Sequence, residues 1–201
     1  MAGHPVIATG RSDFDLGDPT SVDAWLAQPR PPIDVLVHSA GLNHPRLFRD
    51  LDEATIRECF AVNVEGFLRM ARGLIPELSD SRGRIVVLSS IFGFMSRVGR
   101  LPYSMSKHAL VGVVKSLALE LAPDGVLVNA VSPGYIDTAL TRANNDEVTV
   151  ERLRSAVPLQ RLGTAMDVAE VVYFLGSRAN QYVTGQDVVV DGGFSIDGGR
   201  D

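Results

Sequence analysis

The sequence predicts an α/β protein built on a doubly wound parallel sheet with helices on both faces. Three observations carry that reading. Short runs rich in Val and Ile alternate with amphipathic stretches of helical length. Those runs are apolar throughout, as strands buried on both faces of a parallel sheet are. Hydrophobic residues make up 45% and charged residues 21% of 201 positions, enough apolar material to close one core without disulfides or metal.

In chain order, Pro5–Thr9 reads as the first strand, and Phe14–Leu16 as a short offset edge piece or no strand at all. A helix is expected over Thr20–Gln28, because Asp18-Pro19 supplies a cap followed by proline at the first helical position. Ile33–Val37 is the next strand and Leu51–Leu78 the next helical stretch. Arg84–Leu88 follows as a strand and Tyr103–Leu121 as a helix that Gly125 stops. Val126–Val131, the helix Ala165–Gly176 and the strand Asp187–Val190 complete the alternation, which calls for crossovers between parallel strands. Tyr135–Leu162 breaks the rhythm: it is long, polar around Arg142–Glu147 and weakly periodic. A segment of that length beyond a strand's carboxyl end reads as a functional lid or as a surface insertion. No repeat, low-complexity tract or linker divides the chain, so residues 1–201 are expected to form one domain.

Charge and cysteine usage narrow the class. The net charge of −5 lacks the basic face that nucleic acid requires. No apolar run approaches the ~20 residues of a bilayer span, and no signal-peptide pattern follows Met1. The single cysteine, Cys59, excludes an intrachain disulfide and suits a reducing, cytoplasmic compartment. His4, His38, His44 and His108 show no metal-ligand spacing, so no metal is expected. Cys59 reads as core and His108 as a packing or surface residue. A cytosolic α/β enzyme is the favoured class.

Candidate chemistry gathers at strand ends. Tyr103 and Lys107 lie four apart at the start of a predicted helix and share a face. Ser89 and Ser90 close the strand Arg84–Leu88, at the carboxyl edge where α/β sheets bind ligands. Asn63 is a polar residue within an apolar helical stretch and requires a partner.

These residues sit in an ordered series of motifs: His38-Ser39-Ala40-Gly41, Val62-Asn63-Val64, Ser90, Tyr103-Ser104-Met105-Ser106-Lys107 and Ser132-Pro133-Gly134-Tyr135-Ile136-Asp137-Thr138. Pro158-Leu159-Gln160-Arg161-Leu162-Gly163, Val183-Thr184-Gly185-Gln186 and Val190-Asp191-Gly192-Gly193 follow. Over Val6 to Ile196 the chain resembles the classical short-chain dehydrogenase/reductase family, and within it members like the 3-oxoacyl-ACP reductases. The resemblance implies a Rossmann-like fold and hydride transfer between a nicotinamide cofactor and a carbonyl or secondary alcohol. It makes Tyr103 the general acid/base, with Lys107 and the oxidised nicotinamide lowering its pKa from the usual value near 10. Ser90 would hold the substrate oxygen, Asn63 a relay water, and Lys107 also the ribose hydroxyls. Ala40 and Gly41 would permit close backbone approach to the cofactor, and Ile136 and Thr138, after Pro133 and Gly134, would hold the nicotinamide carboxamide. Asp15 and Leu16 would meet the adenine. Arg11 would pair with a 2′-phosphate, favouring NADP(H) over NAD(H). Phe92, Phe94, Met95, Tyr135 and Leu140 suggest an apolar substrate pocket, or core. The late helices and Asp187–Val190 resemble elements through which relatives form dimers or tetramers.

Two departures stand out. His38 and Ser39 replace two amides that usually brace the central strands. The family's opening strand, glycine-rich turn and helix have no counterpart, since Thr9-Gly10-Arg11-Ser12-Asp13-Phe14 lacks the later glycines. Pro5–Thr9 then corresponds to the family's second strand, and the first β-α unit is expected to be missing. The expectation is weak dinucleotide binding by the 201-residue chain, with Pro5–Thr9 shifted against Ile33–Val37 or a gap there filled by another chain. Three readings stand: a truncated start, a natural short form, or a non-catalytic relative serving as an oligomeric interaction module.

Overall fold

A computed structural model describes residues 5–197, the Leu140 side chain excepted; His4 therefore lies outside the described residues. The helices are α1 (Pro19–Leu26), α2 (Glu53–Phe60), α3 (Gly66–Ser81), α4 (Leu101–Leu121), α5 (Ala139–Ala143), α6 (Glu147–Ser155) and α7 (Ala165–Gly176). The strands β1 (Val35–His38), β2 (Arg84–Leu88), β3 (Leu127–Pro133) and β4 (Asp187–Val190) form one parallel sheet in sequential order. Register runs Val35 to Arg84, Arg84 to Leu127 and Ala130 to Asp187.

The central strands β2 and β3 bury both faces, as their unbroken apolar runs require. Ile85 and Val87 of β2 pack with Phe67 and Leu74 of α3 and Leu110 and Val114 of α4. Val86, between them in sequence, points the other way and packs with Val131, Val168 and Leu175 under α7. All three β2 residues are fully buried. Emptying such a site, as in Phe67→Ala, removes about 3–5 kcal/mol of stability.

Local signals explain where helices begin. The Asp18 carboxylate accepts from the Thr20 N–H at 2.9 Å, with Pro19 opening α1. Asp52 accepts from the Thr55 N–H at 2.7 Å and starts α2. Thr164 and Asp167 form a reciprocal capping box at α7. Gly125, at φ +76°, turns the chain from the end of α4 into β3.

Several expectations are corrected. Residues 5–10, read as the strand Pro5–Thr9, adopt no regular structure and are exposed. A parallel strand exists only where a neighbour exchanges backbone hydrogen bonds with it. Among the described residues β1 pairs with β2 alone and forms one edge of the sheet, so the shift of Pro5–Thr9 against Ile33–Val37 does not occur. Of the two readings of Phe14–Leu16, the one without a strand holds, and Phe14 and Leu16 pack against the main core. Leu16 lies so close to α3 that a Cβ on Gly66 would stand 2.5 Å from its carbonyl oxygen. The stretch Leu51–Leu78 is interrupted by a π-helical turn, Ala61–Glu65. That extra residue per turn rephases the helix and buries Asn63 and Val64 together. Residues 135–162 contain the helices α5 and α6 rather than an irregular loop.

Candidate active site

The carboxyl end of β1 delivers the chain to Ala40, Gly41 and Leu42, and Asn63 holds it there. The Leu42 N–H donates to Asn63 Oδ1 at 2.7 Å, and Asn63 Nδ2 donates back to the Leu42 carbonyl at 3.0 Å. Nδ2 also donates to Ser106 Oγ on α4 at 2.9 Å, and Ser106 donates to the Tyr103 carbonyl at 2.8 Å. Asn63 is fully buried, so the clasp joins the β1 loop, the π-helical turn and α4 without competition from water. Cys59, buried as expected, lies 3.4 Å from Nδ2.

Ser89 and Ser90 divide the work at the end of β2. Ser89 Oγ donates to the Lys107 carbonyl at 3.2 Å and braces α4. Ser90 Oγ accepts from the Phe92 N–H at 3.2 Å, capping a short turn, and lies near enough to the Tyr103 phenol to favour its ionised form. Phe92 meets the Tyr103 ring edge-on at 6.2 Å. Burial pushes the Tyr103 phenol above its ordinary 10, while Ser90 and the Arg100 charge favour the phenolate. The net shift is upward because desolvation outweighs Ser90 and the Arg100 charge, so the phenol is held protonated.

Lys107 is buried on the same helical face. Its Nζ donates to the Leu88 carbonyl at 2.6 Å and stands 5.5 Å from the Tyr103 ring centroid. Burial lowers its pKa from 10.5 to about 8. A Cβ on Gly41 would lie 3.6 Å from both Lys107 Nζ and Asn63 Oδ1, which places that exposed glycine over the ammonium. An ammonium has three donors, and among the described residues Leu88 is its one hydrogen-bond acceptor. The remaining donors fit the hydroxyls of a cofactor ribose.

The other assigned residues fall into two groups. At the end of β3, beyond Pro133, Gly134 donates its N–H to the Val190 carbonyl at 2.9 Å, and a Cβ there would meet Asp191 at 2.6 Å. Ile136 bridges to Gly163. Thr138 Oγ1 accepts from the Thr141 N–H at 3.2 Å and caps α5. Near the N-terminal end, exposed Arg11 pairs with Asp15 at 3.3 Å. The turn carrying Asp15 and Leu16 touches the π-helical turn, since a Gly17 Cβ would lie 3.4 Å from Val62. Of the expected pocket residues, Phe92 is buried, Phe94 exposed, and Met95 and Tyr135 partly buried; Tyr135 packs on Phe194 at 4.9 Å. The Leu140 side chain lies outside the described residues. His108 is exposed, as expected, and its Nδ1 contacts the Ser104 carbonyl at 2.9 Å.

Sequence reasoning missed Ser106, Arg100 and the weight of His38. Ser106 stands inside the Tyr-to-Lys motif, and Arg100 one helical turn before Tyr103. His38 is buried against Phe67 at 5.0 Å, and its Nε2 has no hydrogen-bond partner among the described residues. Burial, and then the Lys107 charge, lower its pKa from 6.5 to about 4. Between those values the unfolded chain binds a proton at this imidazole and the folded chain does not. Stability therefore falls with acid across that window, by on the order of 3 kcal/mol. His38→Asn should remove this loss, so urea unfolding at pH 7 and at pH 4.5 should show a smaller acid decrement in the variant. An unchanged decrement would assign the acid limb to other groups.

Comparison with known proteins bears on the fold and the family. The family model described as enoyl-(acyl carrier protein) reductase matches residues 9–195. The 3-oxoacyl-[acyl-carrier-protein] reductase FabG of Aquifex aeolicus is 40% identical over 162 residues, covering 80% of this chain and 65% of its own. The chain thus spans a little under two thirds of that relative's length. The ligand-free aldohexose dehydrogenase of Thermoplasma acidophilum superposes with a TM-score of 0.86 at 31% identity, covering 93% of this chain and 78% of its own. A gluconate 5-dehydrogenase of Burkholderia cenocepacia, solved with NADP and tartrate, gives 0.83 at 26% identity over 90% of this chain and 73% of its own. With a family match across most of its length and the Ser90, Tyr103 and Lys107 side chains gathered at the ends of parallel strands, this chain belongs to the classical short-chain dehydrogenase/reductase family.

Proposed function

We propose that the protein is an NAD(P)(H)-dependent oxidoreductase that interconverts a carbonyl and a secondary alcohol. The observation that carries this reading is the approach of Ser90 and Lys107 to the one phenol, Tyr103, on a scaffold that Asn63 clasps to the β1 loop. The bound nicotinamide would supply or accept the hydride. The protein's residues do the rest. Ser90 orients the substrate oxygen, and Tyr103 gives it a proton during reduction or takes one during oxidation. Lys107 steadies the charge on Tyr103 and holds the ribose, with the backbone at Ala40 and Gly41 beside it. Pro133, Gly134, Ile136 and Thr138 line the carboxamide end, and residues 135–162 cover it as part of a single domain. A high phenol pKa suits the reductive direction, which needs the protonated form. Monitoring NADPH consumption against a panel of ketones and aldehydes tests the reading.

The cofactor preference we assign is NADP(H), through Arg11. An exposed pair such as Arg11–Asp15 is worth about 0–1 kcal/mol, so the guanidinium is free to turn to a 2′-phosphate. Arg11→Asp should shift the affinity ratio from NADPH toward NADH at unchanged melting temperature. Equal affinities before and after the change would remove Arg11 from the site.

The substrate is a small molecule, and the chain is assigned to the cytoplasm as a homo-oligomer, dimer or tetramer. Exposed Leu119 on α4 and Val189 on β4 support that assembly. No helix among the described residues is long and apolar enough to cross a membrane. A second reading, an oligomeric interaction module without turnover, draws on the edge position of β1, where Val35 and Val37 are exposed. Absence of NADPH consumption with every carbonyl, together with no calorimetric binding of either cofactor, would put this reading in place of the enzyme.

A further inference from the structure

Arg100 stands directly before α4, and its carbonyl accepts the Ser104 N–H at 2.8 Å. It lies three residues before Tyr103, one helical turn away on the same face. Its guanidinium is half-buried and donates to a neutral acceptor, Asn43 Oδ1, at 3.0 Å. Asn43 follows Leu42, the residue clasped by Asn63. The Arg46 N–H donates to the Gly99 carbonyl at 3.0 Å and ties the same two loops together a second time. Arg100 is therefore carried by the framework that fixes Tyr103.

What Arg100 lacks is a counter-ion. Arg46, on the adjoining loop, pairs with Asp52 at 3.3 Å. In the cleft of about 440 Å³ under α5 and α6, Arg142, Arg154 and Arg161 each hold a carboxylate. Among the described residues no carboxylate lies within ion-pair distance of Arg100. The charged and titratable groups that act on it are Arg97, of like charge, and the phenols of Tyr103 and Tyr135. Burial and then Arg97 hold its pKa below the ordinary value for arginine, as expected of a cation kept from water without an anion.

We propose that Arg100 is a specificity-determining residue that binds a carboxylate on the substrate, so that the protein acts on small oxo acids and their hydroxy-acid partners. This rests on the carbonyl–alcohol reading and names its substrate class. A planar guanidinium anchored at one nitrogen still offers donors to a carboxylate. Its place one turn from Tyr103 sets that carboxylate beside the carbonyl receiving the proton. The apolar pocket expected from Phe92, Met95 and Tyr135 then encloses the carbon chain between the two groups.

Acetoacetate and methyl acetoacetate, which differ at this end in the charge and one methyl group, test the assignment. Calorimetric titrations in the presence of NADP+, with which a ketone cannot react, read binding; NADPH consumption reads kcat/KM. The parent should favour the acid by about tenfold to hundredfold in both measurements, the usual worth of a charge-assisted hydrogen bond. Arg100→Gln should abolish that preference, bringing affinity and kcat/KM for the acid down to those for the ester. Arg100→Lys should keep part of the preference, which separates loss of charge from loss of fold, and Arg97→Gln should leave it intact. Equal binding of acid and ester by the parent overturns the proposal, as does an equal loss on both in Arg100→Gln, which would make Arg100 a positioning residue for Tyr103. The two levels fail differently. Acid-selective binding without turnover of any carbonyl sinks the oxidoreductase reading and keeps Arg100 as a carboxylate site, whereas turnover without charge preference does the reverse.

Discussion

Tyr103→Phe is expected to lower kcat for carbonyl reduction by about 10²–10⁴, the usual contribution of a positioned general acid. Cofactor affinity should stay within about twofold. The substitution removes one oxygen from a partly buried ring that keeps its edge-on contact with Phe92, so the melting temperature should hold. The protein's environment raises the phenol pKa through burial, so Tyr103 stays protonated through neutral pH and reduction should be the better supported direction there. A drop in turnover smaller than tenfold, at unchanged melting temperature, would remove Tyr103 from the chemistry.

Lys107→Met should damage two properties that one ammonium serves. Turnover should fall by about 10²–10³, the cost of removing a single preorganised charge-stabilising donor, and cofactor binding should weaken with it. The pH dependence separates these effects from general damage. Lys107 titrates at about 8, so the parent's kcat/KM should decline as pH rises through that value and the ammonium is lost. The variant should lack this limb. Stability carries the same signature with a fixed sign. Below pH 8 the folded state holds a buried ammonium that it disfavours. Between 8 and 10.5 the unfolded chain binds more protons than the folded one, so the parent's stability rises with pH across that window. In Lys107→Met that rise should vanish. A variant that retained both the alkaline limb of kcat/KM and the rise in stability would show that Lys107 carries neither.

Much of this molecule follows from local rules that need no knowledge of what packs where. The strands Arg84–Leu88 and Asp187–Val190 and the helix Ala165–Gly176 form with the boundaries that their sequence predicts. Their signals are self-contained: unbroken β-branched runs, or the Thr164–Asp167 capping box. The order of Ser90, Tyr103 and Lys107 was legible too, since strand ends and a four-residue helical spacing place side chains by backbone geometry alone. Pro5–Thr9 shows the opposite case. Its residues have strand propensity, yet a strand is a relation between two chains of hydrogen bonds, and only the assembled sheet decides whether a neighbour is present. Asn63 likewise declared only that it required partners; a π-helical turn, invisible to periodicity, chose Leu42 and Ser106. The electrostatics of the site were the least legible. Whether Tyr103 lies above or below its ordinary pKa, and whether Arg100 has a counter-ion, depends on burial and on charges brought from distant segments. Desolvation and Coulomb energies vary with three-dimensional distance and exposure, and neither quantity exists until the chain has folded.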